Sequence, residues 1–191
     1  MNKGFSLIEM LVVLAILTIM AAIILVDRGG LNDNLILKQG IDTVAIAVHT
    51  AQVESLAVRE DGASNDFSSG YGVYLQKNVD EIIYFIDRNG NHLYEDDEGI
   101  NNMSLGAVTI SDAANGKVLC GKIGSDCDPV DDIVLLYKSP SAQLRFFRDT
   151  GDAQGTELFY EEIQVPLETF SKNQGVIVTI GSGSDISIEQ N

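Results

Sequence analysis

The sequence predicts an α+β protein in which a long N-terminal helix, built in two halves, precedes an antiparallel β-sandwich. Residues 5–26 are almost wholly apolar, which favours a helix that is buried on all sides. Residues 27–60 repeat apolar residues at helical spacing, and residues 61–191 alternate short strand-like runs with turn residues. We therefore divide the chain into a short N-terminal segment at residues 1–4, two helical segments and a β-sandwich head.

The apolar segment at residues 5–26 has the length of a membrane-spanning helix. At 1.5 Å per residue it is roughly 33 Å long, which exceeds a hydrocarbon core of about 30 Å. Glu9 is the one charged side chain within the segment. Because a carboxylate at that depth costs on the order of 2.5–3.5 kcal/mol on insertion scales, Glu9 requires a partner of opposite charge.

The start of the apolar segment carries a specific motif, Gly4-Phe5-Ser6-Leu7-Ile8-Glu9. A secretory signal peptide places a small-residue cleavage site after a shorter apolar run, whereas here Gly4 precedes the run. The arrangement resembles the type IV prepilin leader, which pilins share with the pseudopilins of type II secretion. An ordinary signal peptide or signal anchor is the alternative interpretation.

This resemblance implies a processing step and a set of partners. A prepilin peptidase would cleave after Gly4 and methylate Phe5, and Glu9 would pair with the N-terminal amine of a neighbouring subunit during assembly. The partners would be other pilins or pseudopilins, the prepilin peptidase and an inner-membrane assembly platform. The chain would cross the bacterial inner membrane once, with its head outside the cytoplasm, before it enters a filament.

The second helical segment, residues 27–60, is predicted to be amphipathic. Apolar or small residues recur at spacings of three and four, which places them on one face of a helix. This stripe consists of Leu37, Ile41, Val44, Val48, Ala51 and Ser55. We expect the head to pack against the stripe, and we expect a bend between the two helical segments near residues 27–30.

The chain is strongly acidic, with 28 Asp and Glu against 12 Lys and Arg and a formal net charge of −16. Such a surface repels phosphate backbones and offers nucleic acid no electrostatic footprint. It is typical of an exported, solvated protein, or of one that holds divalent cations. Nucleic acid is therefore not expected among the partners.

The two cysteines, Cys120 and Cys127, are seven residues apart. Beyond a membrane anchor whose N-terminus is in the cytoplasm, the compartment is oxidising, and we predict a disulfide between them. In the chain-entropy model a loop this short contributes about 2–2.5 kcal/mol of stability.

The head is predicted to contain at least nine short strands separated by turns, as in an antiparallel sandwich. They lie at residues 71–75, 81–86, 107–110, 117–120, 133–137, 144–148, 163–165, 176–180 and 186–188. The order of the pieces resembles the GspH/FimT subgroup of minor pseudopilins and minor pilins, whose heads are β-sandwiches on the helix. The motifs that carry this resemblance lie at residues 53–59, 70–73, 85–91 and 175–188.

Residues 87–98 have the ligand spacing of a twelve-residue calcium loop. Side-chain oxygens at positions 1, 3, 5, 9 and 12 come from Asp87, Asn89, Asn91, Glu95 and Glu98, and Leu93 offers its carbonyl at position 7. Position 6 departs from the pattern, because it is His92 where a glycine is expected. The favoured interpretation is a hairpin with an Asn89-Gly90 turn followed by a solvated acidic loop, with His92 exposed. Calcium is the alternative cofactor, and otherwise none is expected.

Catalysis is not expected from this sequence. It contains no glycine-rich phosphate loop, no zinc-ligand spacing and no Gly-x-Ser-x-Gly elbow, so no catalytic residue is assigned. The resemblance instead implies a structural minor subunit of a type II secretion or type IV pilus filament. The alternative is a pilus-tip module for adhesion or DNA uptake, but the C-terminal hairpin carries no Lys or Arg after Lys172.

Overall fold

A computed structural model describes most of the chain. The described residues are 6–26, 28–57, 70–112, 117–138, 141–150, 153–171 and 174–190, with side chains described for all of these except 23–26, 28–31 and 190. The contacts within the chain divide it into two compact units, Met1–Leu35 and Ile36–Asn191. Each unit is described by itself below.

Helix α1 (Leu7–Val26) begins at a serine cap. The main-chain N–H of Glu9 donates to the carbonyl of Ser6 at 3.0 Å and to its Oγ at 3.3 Å. Ser6 and Glu9 therefore occupy the N-cap and N3 positions of a Ser-x-x-Glu capping pattern. The helix begins there with the main-chain N–H at N3 satisfied. The large apolar side chains of α1 up to Met20 are between 48% and 86% exposed. In the described ranges, no helix combines the length and apolar character needed to cross a membrane.

Helix α2 (Arg28–Ala57) buries the predicted stripe. All six stripe residues are 7% exposed or less, and four of them are fully buried. The pattern is confirmed. Gly40 lies on the same side, where a Cβ would stand 3.3 Å from the side chain of Val108, so a glycine permits this close approach. The predicted bend includes residue 27, which lies outside the described residues, and it stays a prediction.

The first sheet has six strands in the order β3-β2-β1-β7-β8-β9, all paired antiparallel. The strands are β1 (Gly70–Gln76), β2 (Glu81–Asp87), β3 (Gly99–Ser104), β7 (Asp132–Lys138), β8 (Gln143–Arg148) and β9 (Thr156–Leu158). Strand β7 is buried over five consecutive residues, which requires both faces of the sheet to be covered.

The second sheet has the order β12-β11-β10-β5-β6, and β4 pairs separately with β10. Its strands are β4 (Val108–Ile110), β5 (Cys120–Ile123), β6 (Asp126–Pro129), β10 (Glu162–Thr169), β11 (Gly175–Gly181) and β12 (Ile186–Gln190). Its pairs are also antiparallel. The predicted α+β class with antiparallel sheets is confirmed.

One apolar core joins the α2 stripe to both sheets. A second, smaller cluster covers the other face of the first sheet. It consists of Phe85, Val134, Leu136 and Phe147, with Tyr74 and Tyr94 packed against it. Tyr94 comes from the segment between β2 and β3, so that segment provides the cover for this face.

The strand predictions are wrong in two respects. The strand expected at residues 117–120 begins only at Cys120, and strands β3, β6 and β9 were not predicted. All three are edge strands; the side chains of β3 and β6 are mostly exposed, and those of β9 are exposed or half-buried. Because an edge strand faces solvent, it needs no apolar pattern and leaves little trace in the sequence.

The expected tight Asn89-Gly90 hairpin is also wrong. Strand β2 ends at Asp87, and its partner β3 starts only at Gly99, with Phe85 opposite Gly99. The connection is an eleven-residue loop that includes Gly90 at φ +73° and His92 at φ +64°. Glu95, Asp96 and Asp97 are exposed, as expected of a solvated acidic loop, but Asp87 and Glu98 are each only 2% exposed.

Candidate functional site

Three regions carry the residues that the sequence singled out: the start of α1, the loop between β2 and β3, and the β5–β6 hairpin. At the first, Gly4 and Phe5 lie outside the described residues. Glu9 lies in the first turn of α1, with an exposed side chain among exposed apolar neighbours. An acidic side chain in the first turn also interacts favourably with the positive end of the helix dipole. Glu9 thus lies at the start of α1, and in the sequence it is the fifth residue after Gly4.

The loop at residues 87–98 is organised by its first carboxylate. Asp87 Oδ1 accepts a hydrogen bond from the N–H of Gly90 at 2.8 Å, and Oδ2 accepts one from the N–H of His92 at 3.1 Å. Burial raises the pKa of Asp87, while the His92 charge and the main-chain donors act in the opposite direction. The buried Asp87 carboxylate therefore holds the loop in a turn, because both of its oxygens accept hydrogen bonds from main-chain N–H groups.

The last carboxylate of the loop meets the same turn. Glu98 Oε1 accepts from the N–H of Arg88 at 2.8 Å and from the N–H of Asn89 at 3.4 Å. Its other oxygen, Oε2, is buried and has no hydrogen-bond partner in the described part of the chain. Burial raises the pKa of Glu98; the hydrogen bonds from Arg88 and Asn89 lower it, and the charges of Asp87 and Glu95 raise it.

The middle of the loop is a network of amides around Glu95. The Nδ2 atoms of Asn89 and Asn91 donate to the two carboxylate oxygens of Glu95, each at 3.0 Å. Their Oδ1 atoms accept from the N–H groups of Asn91 and Leu93, each at 2.8 Å. Asn89, Asn91, Leu93 and Glu95 are therefore joined by hydrogen bonds within the loop that Asp87 and Glu98 bound.

Aromatic contacts hold this loop against the first sheet. The ring of Tyr94 stacks on Tyr74 at 5.1 Å and meets the edge of Phe85 at 5.6 Å. His92 is half-buried on Phe147, and the N–H of Gly155 donates to the carbonyl of Asn91 at 2.7 Å. The expectation that His92 is simply exposed is wrong, because its ring is part of this cover.

Sequence reasoning did not identify these contact residues. Phe147 lies in a predicted strand, but the sequence did not show that its side chain packs into the smaller apolar cluster on the other face of the sheet. The alternation of a half-buried strand cannot reveal a loop that folds over its outer face. In the described ranges, no group of three or more His, Cys, Asp and Glu side chains is arranged to hold a metal.

The cysteines are joined as predicted. Cys120 and Cys127 form a disulfide across the β5–β6 hairpin, with Cα atoms 5.6 Å apart. Cys120 is fully buried, whereas Cys127 is exposed. The bond therefore fastens an exposed edge strand to a core strand.

Comparison with known proteins gives one match. Residues 1–25 match the family described as the prokaryotic N-terminal methylation motif. No curated protein and no solved structure matches the chain. The match supports the predicted prepilin-type leader and, with it, a type IV pilin or pseudopilin kind of subunit. It covers the leader and α1, and it leaves the head without a comparison.

Proposed function

We propose that this chain is a structural subunit of a type IV pilus or type II secretion filament, assembled through its N-terminal helix. The observation that carries the proposal is a methylation motif at residues 1–25 on a 20-residue helix whose large apolar side chains, as far as Met20, are exposed. Apolar surface of this extent requires a cover. In this proposal lipid covers the apolar surface of α1 before assembly, and the helices of neighbouring subunits cover it afterwards.

Glu9 has a specific part in this assembly. Cleavage after Gly4 creates a new N-terminal amine at Phe5, which is methylated and carries a positive charge. Within the apolar segment Glu9 is the one anion available to pair with such a cation. Leaving either charge buried without a partner is strongly destabilising, so subunits add where the amine of one meets Glu9 of the next.

The second helix extends the packing surface. Ile46, Val53 and Leu56 of α2 are 58%, 62% and 56% exposed, although the stripe on the same helix is buried. Their spacings of seven and three place them on one side of the helix. In the filament this side contacts other subunits, while the stripe keeps the head attached.

We assign the chain to the minor subunits of the GspH/FimT kind, with no catalytic activity. The support is a head of two antiparallel sheets on an amphipathic helix, with the C-terminal strands β11 and β12 forming a hairpin. The disulfide fits a head that lies outside the cytoplasm. The prepilin peptidase and an inner-membrane assembly platform are the further partners that this role requires.

Substitution of Glu9 tests the proposal. Glu9→Gln removes the charge with little change in shape, and Glu189→Gln removes one charge from the exposed strand β12 as the matched control. We expect Glu9→Gln to stay in the membrane fraction but to disappear from sheared filaments of the host, detected by immunoblot. Incorporation equal to that of the control would contradict the role of Glu9.

A pilus-tip module for adhesion or DNA uptake is the alternative, and DNA binding distinguishes it. Strands β11 and β12 contain no Lys or Arg, which does not favour contact with phosphates. We expect no DNA binding by the solubilised chain across a salt series. Strong binding that weakens steeply with salt would favour the uptake role.

A further inference from the structure

The loop at residues 87–98 has a buried carboxylate at each end, and one of the carboxylate oxygens lacks a partner among the described residues. Asp87 and Glu98 are each 2% exposed, and both accept hydrogen bonds from the main chain of the same turn, residues 88–90. They therefore lie side by side although they are eleven residues apart. Two like charges removed from water destabilise a fold unless positive charge compensates them.

Glu98 Oε2 is the specific atom that lacks a partner. It is buried, and no hydrogen bond to it exists among the described residues. Buried polar atoms in proteins are nearly always paired, and the cost of an unpaired one is largest for a charged group. Oε1 already accepts hydrogen bonds from the N–H groups of Arg88 and Asn89, so Oε2 is the carboxylate oxygen that lacks a partner.

We infer that this loop is a calcium site, with Asp87 and Glu98 as carboxylate ligands and with further oxygens from Asn89, Asn91 and the carbonyl of Leu93. These are hard oxygen ligands at the positions that Ca²⁺ loops use, and Glu95 stands at position 9, which often acts through a water. Only two of the proposed direct ligands are carboxylates, and the others are amide and carbonyl oxygens. This agrees with the absence, among the described residues, of three acidic side chains arranged around one metal position.

The asparagines have the capacity to act as ligands. Each Oδ1 accepts one main-chain hydrogen bond, and an amide oxygen has two lone pairs, so one remains for a cation. The Nδ2 groups hold Glu95 against the loop and fix both amides in place. Position 6 also meets the requirement of the loop, because His92 adopts the left-handed conformation that glycine has in other calcium loops.

Calcium at this site would fasten the cover of the second face of the first sheet. Tyr94 and His92 lie between the proposed ligands and contact Tyr74, Phe85 and Phe147. A cation that joins the two ends of the loop restricts these rings to their packed positions. Binding would therefore be measurable as stability of the head.

The test uses the full chain in detergent, freed of cations with EDTA, and titrates it with CaCl₂ by calorimetry and by thermal unfolding. Calcium loops of extracellular proteins bind with dissociation constants of about 10⁻⁴–10⁻³ M. At about 5 mM CaCl₂ we expect the unfolding midpoint to rise by about 2–8 °C. No binding and no rise would overturn the inference and leave a water molecule as the partner of Glu98.

Variants separate this site from the general acidity of the chain. Glu98→Gln should weaken calcium binding at least about tenfold, because it removes a charged ligand. Glu95→Gln, at an exposed side chain that accepts hydrogen bonds from Asn89 and Asn91, should also weaken calcium binding and serves if Glu98→Gln does not fold. Asp97→Asn removes an exposed neighbouring charge and should bind as the wild type does. Equal binding by Glu95→Gln, or an equal rise with MgCl₂, would assign the effect to the acidic surface and overturn the inference.

Discussion

The imidazole of His92 stacks on the phenyl ring of Phe147, with ring centroids 4.5 Å apart and ring planes 9° from parallel. His92 holds this position with φ +64°, a left-handed conformation that is uncommon for residues other than glycine. The stack offsets part of the strain and joins the loop at residues 87–98 to strand β8. It also explains why a histidine stands where spacing alone would favour glycine.

At His92 the ring stack stabilises the fold, whereas the left-handed backbone conformation destabilises it. His92→Ala loses the stack, worth about 0.5–1.5 kcal/mol, and keeps the left-handed strain. His92→Gly loses the stack but relieves strain of about 1–2 kcal/mol. We therefore expect His92→Ala to be the less stable variant by about 1 kcal/mol in urea denaturation of the solubilised chain. A glycine variant that is less stable than the alanine variant would contradict this explanation.

Gly72 is predicted to be intolerant of any side chain. A Cβ there would overlap the ring of Phe85, which is fully buried and belongs to the smaller apolar cluster. Overpacking of this kind costs about 1–3 kcal/mol, so Gly72→Ala should lower the urea midpoint clearly. Gly99→Ala is the control, since a Cβ there meets Tyr94 only at 3.5 Å, an ordinary contact. Equal stability of the two variants would contradict the packing of β1 against Phe85.

Two adjacent aspartates should give opposite responses to pH. Burial raises the pKa of Asp132 above its ordinary 3.8, although the Tyr74 hydroxyl donates to it at 3.1 Å. The folded state therefore binds this proton more tightly, and stability from this group rises as pH falls from neutral towards 3.8. The hydrogen bond and ion pair with Lys77, at 2.5 Å, hold the pKa of Asp131 below 3.8, and that stabilisation is lost on further acidification.

Thermal unfolding against pH measures both effects. Asp132→Asn should reduce the gain in unfolding temperature between neutral pH and pH 3.8. Asp131→Asn should reduce the fall in unfolding temperature below pH 3.8. Each variant is the control for the other, because both remove one carboxylate at adjacent positions of the chain. A change in the same part of the profile for both variants would contradict their different environments.

The disulfide is predicted to stabilise the head by about 2–2.5 kcal/mol in the chain-entropy model. Cys127→Ser should lower the free energy of unfolding by this amount, since Cys127 is exposed and leaves no cavity. Addition of a reductant should lower the wild type to the level of the variant and leave the variant unchanged. If reductant destabilised the variant as much as the wild type, the effect would not come from this bond.

How far the sequence predicts the fold depends on what each element buries. The α2 stripe from Leu37 to Ser55 was predicted residue by residue, because a helix on a core must repeat apolar positions at 3.6-residue spacing. Strands β3 and β6 were missed because their exposed edges carry polar sequences such as Asp126–Pro129. A periodic apolar pattern arises where one face of an element is buried, and an edge strand buries few side chains.

The candidate site was predicted in a similar, partial way. Spacing selected the five oxygen side chains that we propose as the site in the loop from Asp87 to Glu98, since ligand positions are a local property of the sequence. Burial of Glu98 was not predictable, because it depends on the outer face of the first sheet and on the aromatic cover that Tyr94 provides. Contacts between residues far apart in the chain have no local signature.

The central claim is that this chain is processed as a prepilin, and the intact mass of the membrane-extracted protein tests it most directly. We expect co-expression with a prepilin peptidase to remove Met1 to Gly4 and to add one methyl group at Phe5. A Gly4→Leu variant, which blocks the cleavage position, should keep its full mass in the same cells. A wild-type chain that stays uncut and unmethylated beside an active peptidase would contradict the account.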